Sequence, residues 1–194
     1  SSLLYRDVYK DFSDIYQATM AVGFSSKIIK YEDKKVKLNI WDLSGDDRFK
    51  MVLKTYLKHI HAIILVYDVT KMDSFNNIKK WIEFVETSQP NQTKNMVYML
   101  LANKTDKENR VVGVDMGIQY ALKNKMTYLD VCAKSGKTMN FLNMLAEILM
   151  EKHIEITLNR KNNKNVQKIN EFLENELSNN NKEEDVKWCS CDIF

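Results

Sequence analysis

Met96-Val97-Tyr98-Met99-Leu100-Leu101-Ala102-Asn103-Lys104-Thr105-Asp106 is the stretch on which the fold turns. Its first seven residues are apolar on both faces of an extended chain. That is the pattern of a strand covered on both sides in a parallel sheet. Its last four place an amide, a cation, a hydroxyl and a carboxylate at the C-terminal end of that strand, where open α/β sheets bind ligands. Ala62-Ile63-Ile64-Leu65-Val66-Tyr67 repeats the doubly apolar pattern, and Thr127 to Val131 is a shorter version. Upstream, Val36, Leu38 and Ile40 alternate with polar neighbours, as a strand with one buried face should. Val22 to Tyr31 and Val36 to Trp41 flank the polar turn Glu32-Asp33-Lys34-Lys35, which predicts a hairpin. The second of these strands closes on Asp42-Leu43-Ser44-Gly45. This run offers a carboxylate suited to a metal and a glycine whose backbone a phosphate can approach closely.

Helical periodicity lies between the strands. Ile78, Trp81, Ile82 and Val85 share one face of a helix that Ser74 can cap, and Phe141, Leu142, Leu145, Ile148 and Leu149 share one face of another. Alternation of this kind predicts an α/β fold, a mostly parallel sheet with helices on both faces.

The chain has 194 residues, 44% of them hydrophobic, enough for one domain with a core and a tail. A formal charge of +3, with Lys and Glu interspersed, gives a mixed-charge surface rather than a nucleic-acid face. No apolar run reaches the roughly 18 residues of a membrane helix. Three cysteines, one inside a strand (Cys132) and two near the end (Cys189, Cys191), make no disulfide framework and fit a reducing compartment. His59, His61 and His153 lack metal-like spacing. After His153 the composition turns to Asn, Lys and Glu. Residues 154–188 read as a solvated tether in which Val166, Ile169, Leu173 and Leu177 could form a short helix.

With these motifs in one order and register, residues 1–153 resemble a Ras-superfamily GTPase of the Rab branch. The run from Asn103 to Arg110 and the chain's ending are similar to the Rab-eighteen subgroup. The resemblance implies a P-loop NTPase-type, mostly parallel six-stranded sheet that binds GTP or GDP with Mg²⁺. It implies a central first strand and glycine-rich phosphate loop ahead of Ser1, roughly 10 to 20 residues long. The alternative is a divergent member without that loop. Ser1 and Thr19 would supply hydroxyl ligands to Mg²⁺, Asp42 would hold it through a water, and Gly45 would offer its N–H to the γ-phosphate. Phe12 would pack on guanine. Asp106 would accept two N–H bonds from the guanine edge, Asn103 and Lys104 would brace and stack, and Ala133 N–H, in Cys132-Ala133-Lys134, would face the guanine oxygen.

This sequence departs from the pattern in two places that matter. Met20-Ala21 follow Thr19 where relatives have Ile-Gly. Asp46 stands where relatives carry the glutamine that orients the attacking water. A shorter, anionic side chain there predicts slow turnover by repulsion from the γ-phosphate. Phe24, Trp41 and Tyr56 match an aromatic trio that relatives present to effectors. Cys191-Asp192-Ile193-Phe194 has the form of a prenylation signal, and Cys189 could take a second lipid. The partners implied are effectors, an exchange factor, an activating protein, an escort that extracts the lipidated form, and a membrane reached through the lipid, with no nucleic acid. The location implied is the cytoplasmic face of the endoplasmic reticulum, Golgi, vesicles or lipid droplets. Two other readings stay open: a nucleotide-binding effector scaffold with little turnover, and an interaction module that holds no nucleotide.

Overall fold

A computed structural model describes residues 1–15, 18–90, 96–175 and 191–193, with backbone alone from residue 160 onward. Helix α1 (Ser2–Tyr9) leads into a hairpin of β1 (Val22–Tyr31) and β2 (Lys34–Leu43). A 3₁₀ turn (Asp47–Phe49) and short α2 (Lys50–Leu53) precede β3 (Ile60–Asp68). Then follow α3 (Met72–Ser88), β4 (Val97–Asn103), α4 (Val114–Lys123), β5 (Thr127–Asp130), the long α5 (Phe141–Asn175) and β6 (Cys191–Ile193).

The six strands form one sheet in the order β1-β2-β6-β3-β4-β5. Only the β1–β2 pair is antiparallel; β2, β6, β3, β4 and β5 run parallel. The expected mostly parallel sheet is therefore present, but its central position is held by the end of the chain. Cys191–Ile193 pairs with Leu38, Asn39 and Ile40 on one side and with Ile60 and Ala62 on the other. Three residues give no periodicity to read, so the pairing comes from unsatisfied backbone groups along β2 and β3 rather than from local propensity.

Alternation along β4 shows how the sheet is covered. Met99 and Leu101 face a cluster with Leu38, Ile40 and Ala62, closed by Leu3 of α1 and by Phe141, Leu142, Leu145 and Leu149 of α5. Leu100 and Ala102 face the opposite cluster, with Ile63, Leu65 and Tyr67, closed by Phe75, Ile78 and Val85 of α3 and Ala121 of α4. Each fully buried leucine contributes about 1.5–3 kcal/mol, and the two clusters clamp the sheet from both sides.

Local readings shift in three places. The hairpin turn contracts to Glu32-Asp33, with Glu32 at φ 51°, because Lys34 and Lys35 pair with Tyr31 and Lys30. Helix α3 begins at Met72 with Lys71 as its cap, so Ser74 is not the N-cap. Its hydroxyl instead donates to Lys71 O (2.7 Å) and accepts from Asp68 N–H (3.0 Å), tying the first turn to the end of β3. The backbone of α5 stays helical through the compositional break at His153, as far as Asn175. Cys189 lies outside the described residues. Among the described residues no helix is long and apolar enough to cross a membrane.

Candidate functional site

Because β2, β3, β4 and β5 are parallel, their C-terminal ends share one edge. Asp42, Asp68, Asn103 and Asp130 stand there in that order, Asp68 in register with Asn103 and Ala102 with Asp130. Two groups of side chains gather on this edge.

The first group lies at β2. The hydroxyls of Ser1 and Thr19 are in hydrogen-bond contact, and the Ser1 backbone nitrogen lies 3.1 Å from Asp42 Oδ1. The segment after Thr19 is pinned when Ser44 N–H donates to Ala21 O (2.9 Å). That places Ala21 at φ 60°, a left-handed conformation that costs an L side chain about 1–2 kcal/mol. Two hydroxyls and a carboxylate form a hard-oxygen donor set, which fits Mg²⁺ rather than zinc. Among the described residues no three His, Cys, Asp or Glu gather as an alternative metal site. Gly45 is exposed, and an added Cβ would meet nothing within 4 Å. The fold itself does not require glycine there, so any such requirement must come from something that approaches from outside.

Asp46, next to Gly45, is turned back on its own turn. Arg48 Nε donates to Asp46 Oδ1 (3.1 Å) and Oδ2 (2.9 Å), Arg48 Nη2 to Oδ2 (2.6 Å), and the Arg48 backbone N–H to Oδ1 (3.0 Å). The guanidinium donors hold this carboxyl below its usual range.

The second group lies at β4 and β5. Lys104 takes φ 66°, and its ammonium reaches Asp68 Oδ2 at 2.7 Å. Burial would raise the Asp68 carboxyl, but Lys104 and Thr70 outweigh it and lower it. The Cys132 thiol donates to Asp106 Oδ1 (3.0 Å), and this bond is the main reason the Asp106 carboxyl is lowered. Thr105 Oγ1 donates to Val131 O (3.1 Å), and Ala133 N–H donates to Asn103 Oδ1 (3.3 Å). The two loops are thus laced together, with the exposed Asp106 carboxylate at their rim.

Some expected roles differ from the observed contacts. Ala133 N–H is engaged by Asn103, Lys104 by Asp68, and Lys134 Nζ by Asp14 Oδ1 (2.8 Å). Phe12 is half-buried against the α1–α5 core cluster. The aromatic trio forms a continuous row: Phe24–Trp41 at 4.7 Å and Trp41–Tyr56 at 4.9 Å between ring centroids, with Phe24 56% exposed.

Three functional neighbours escaped the sequence reading. Asp68 closes β3 just as Asp42 closes β2, so the same strand-end rule could have found it. Arg48 had its spacing from Asp46 as the only signal. Arg110 joins Asp130 through Nη1 (2.9 Å) and Nη2 (3.0 Å), while Tyr128 O–H donates to Asp130 Oδ1 (2.6 Å). Arg110 Nε also donates to Val112 O (2.8 Å). No local pattern announces that network, because its members lie on either side of α4.

A parallel sheet with hard-oxygen donors at one strand end and a laced carboxylate loop at another fits the α/β fold of the small-GTPase class. The Ras family model matches residues 1–152. The chain is 33% identical over 170 residues to the GTP-binding protein YPT1 of Saccharomyces cerevisiae, covering 84% of this chain and 81% of that protein. It is 36% identical over 156 residues to the Ras-related protein Rab-18-B of Danio rerio, covering 80% and 73% respectively. The chain belongs to the Ras family, as a Rab-type small GTPase.

Proposed function

We propose that this chain is a GTP/GDP switch of vesicle or membrane trafficking with slow intrinsic hydrolysis, working on the cytoplasmic face of intracellular membranes. The observation that carries this reading is the convergence of Ser1, Thr19 and Asp42 on the sheet edge that also bears Asn103 and Asp106. Ser1, Thr19 and Asp42 would hold Mg²⁺, which when bound neutralises phosphate charge. Asp106 would accept from the N–H groups of guanine; adenine lacks that pair and would leave a desolvated carboxylate unpaired. Thr19 would answer the presence of a third phosphate, and the row Phe24–Trp41–Tyr56 would display the state to effectors.

Asp46 carries the hydrolysis reading. It lacks the amide donor that orients water and is committed to Arg48. The same commitment favours the second reading, an effector scaffold with little turnover. Attachment would come from lipid on Cys191 and Cys189, since Lys182-Glu183-Glu184-Asp185 is no polybasic signal; for that, Cys191–Ile193 would have to leave its place between β2 and β3.

Mass analysis of nucleotide retained by the purified full-length protein tests the switch; a full-length protein that is empty and indifferent to GDP and Mg²⁺ overturns it. Single-turnover hydrolysis of bound GTP, with and without a Rab-type activating protein, separates the two readings. Asp46→Gln should raise the intrinsic rate, and an unchanged rate refutes the assignment of slow turnover to Asp46.

A further inference from the structure

We propose that Arg48 is a positioning residue: it parks and neutralises the Asp46 carboxylate, and this pairing lets the site accept a third phosphate beside Gly45. The inference rests on the switch reading and concerns how the chain accommodates its own substitution at residue 46.

The contact is specific. Three side-chain bonds fix both carboxylate oxygens against one edge of the guanidinium, the planar match that distinguishes Arg from Lys. The next acid, Asp47, has its own partner in Lys50 Nζ at 2.9 Å, so the Arg48 charge is not divided between them. The Asp46 backbone N–H is held by Ser44 Oγ at 3.3 Å, which fixes where the side chain starts. An uncompensated carboxylate one residue from Gly45 would repel an anionic γ-phosphate while leaving a diphosphate nearly untouched. Repulsion of this kind acts on discrimination between the two nucleotides, not on binding in general.

Removing the Arg48 side chain leaves the backbone N–H that caps the 3₁₀ turn through Asp46 Oδ1. Arg48→Ala therefore deletes charge without deleting the cap. The Arg48 side chain is 83% exposed, so salt screening keeps the expected effect modest.

The experiment measures equilibrium affinity of the full-length protein for GDP and for a non-hydrolysable GTP analogue. Arg48→Ala should weaken the analogue relative to GDP by about three- to fivefold at low salt, and by less at high salt. Arg48→Lys should restore part of this as a point charge without the fork. In an Asp46→Asn background, Arg48→Ala should change the ratio by less than about twofold, since no anion remains to be neutralised. In nucleotide-free protein, the Arg48 Nε–H resonance should shift on Asp46→Asn, a readout that needs no ligand. Equal weakening of both nucleotides, or an equal effect in the Asp46→Asn background, overturns the proposal while leaving the switch standing. Failure to bind either nucleotide overturns both.

Discussion

Replacing Arg110 by Met removes a guanidinium and keeps the stem, and it should cost stability through Asp130. Both side chains are about four-fifths buried: 22% of Arg110 and 21% of Asp130 remain accessible. Breaking a fully buried pair by deleting one partner costs about 3–5 kcal/mol. With a fifth of each group in water, and with Tyr128 O–H still donating to Asp130 at 2.6 Å, the cost should fall to about 2 kcal/mol. The loss also frees Val112 O, which Arg110 Nε holds at 2.8 Å. Urea unfolding at pH 7 of wild type, Arg110→Met, Asp130→Asn and the double variant forms a cycle whose coupling energy should be about 1–2 kcal/mol. A coupling below about 0.5 kcal/mol would refute the claim that the pair is a structural tie. The functional corollary is local. Asp130 adjoins Val131-Cys132-Ala133, while Val111 and Val112 N–H groups both donate to Val69 O, so the pair joins the ends of β3 and β5. Faster nucleotide dissociation should accompany the lost stability.

Gly117→Ala should destabilise the chain. The new Cβ would sit 2.5 Å from Tyr128 Cε2 and 2.7 Å from the Tyr67 hydroxyl, an overpacking cost of about 1–3 kcal/mol that exceeds the helix-propensity gain of about 1 kcal/mol; thermal unfolding reads the difference. Ala21→Gly should raise the urea midpoint slightly, because relief of about 1–2 kcal/mol of left-handed strain exceeds the roughly 0.5–1 kcal/mol of added chain entropy. The Asp68 and Asp130 carboxyls both titrate below their unfolded value of about 4, because donors outweigh burial. Their contribution is complete above that value and is lost as pH falls through the lower folded values, so urea midpoints should be flat with respect to these groups at neutral pH and drop below about pH 4. Asp106→Ala should weaken GDP by about two orders of magnitude and abolish preference over ADP, checked by competition binding.

What could be read from residues alone was what repetition and alternation encode. Ala62 to Tyr67 announced β3 because both faces had to be apolar, and the structure extends it only to Ile60–Asp68. Helix α4 was harder for a physical reason. Its larger apolar side chains, Val114, Met116, Ile118 and Leu122, are exposed, while Gly117 and Ala121 face the sheet, so the apolar stripe points away from the core. The strand-end motifs told which residues share the edge, but not which of them hold one another. Lys104 on Asp68, Arg48 on Asp46 and Arg110 on Asp130 are long side chains whose partners are chosen by loop geometry. β6 was invisible to any local rule: it exists through pairing with strands more than 120 residues earlier, the nearer partner being Ala62.

The metal-side donors and the aromatic row are closer in structure than their separate roles suggest. Gly23 pairs with Asp42 and Phe24 with Trp41, consecutive rungs of one antiparallel ladder. Side chains alternate faces along a strand, so Asp42 can face the ligand edge while Trp41, one residue earlier, faces Phe24 and Tyr56. Thr19 enters this ladder through Ala21, whose carbonyl is held by Ser44 N–H just past the end of β2. A displacement of Thr19 must therefore either break that bond or carry β1 with it, and carrying β1 moves Phe24 against Trp41. The left-handed strain at Ala21 lowers the cost of the first route. This chain should thus release its threonine segment more readily than one with glycine there, and report the release at the aromatic row less completely.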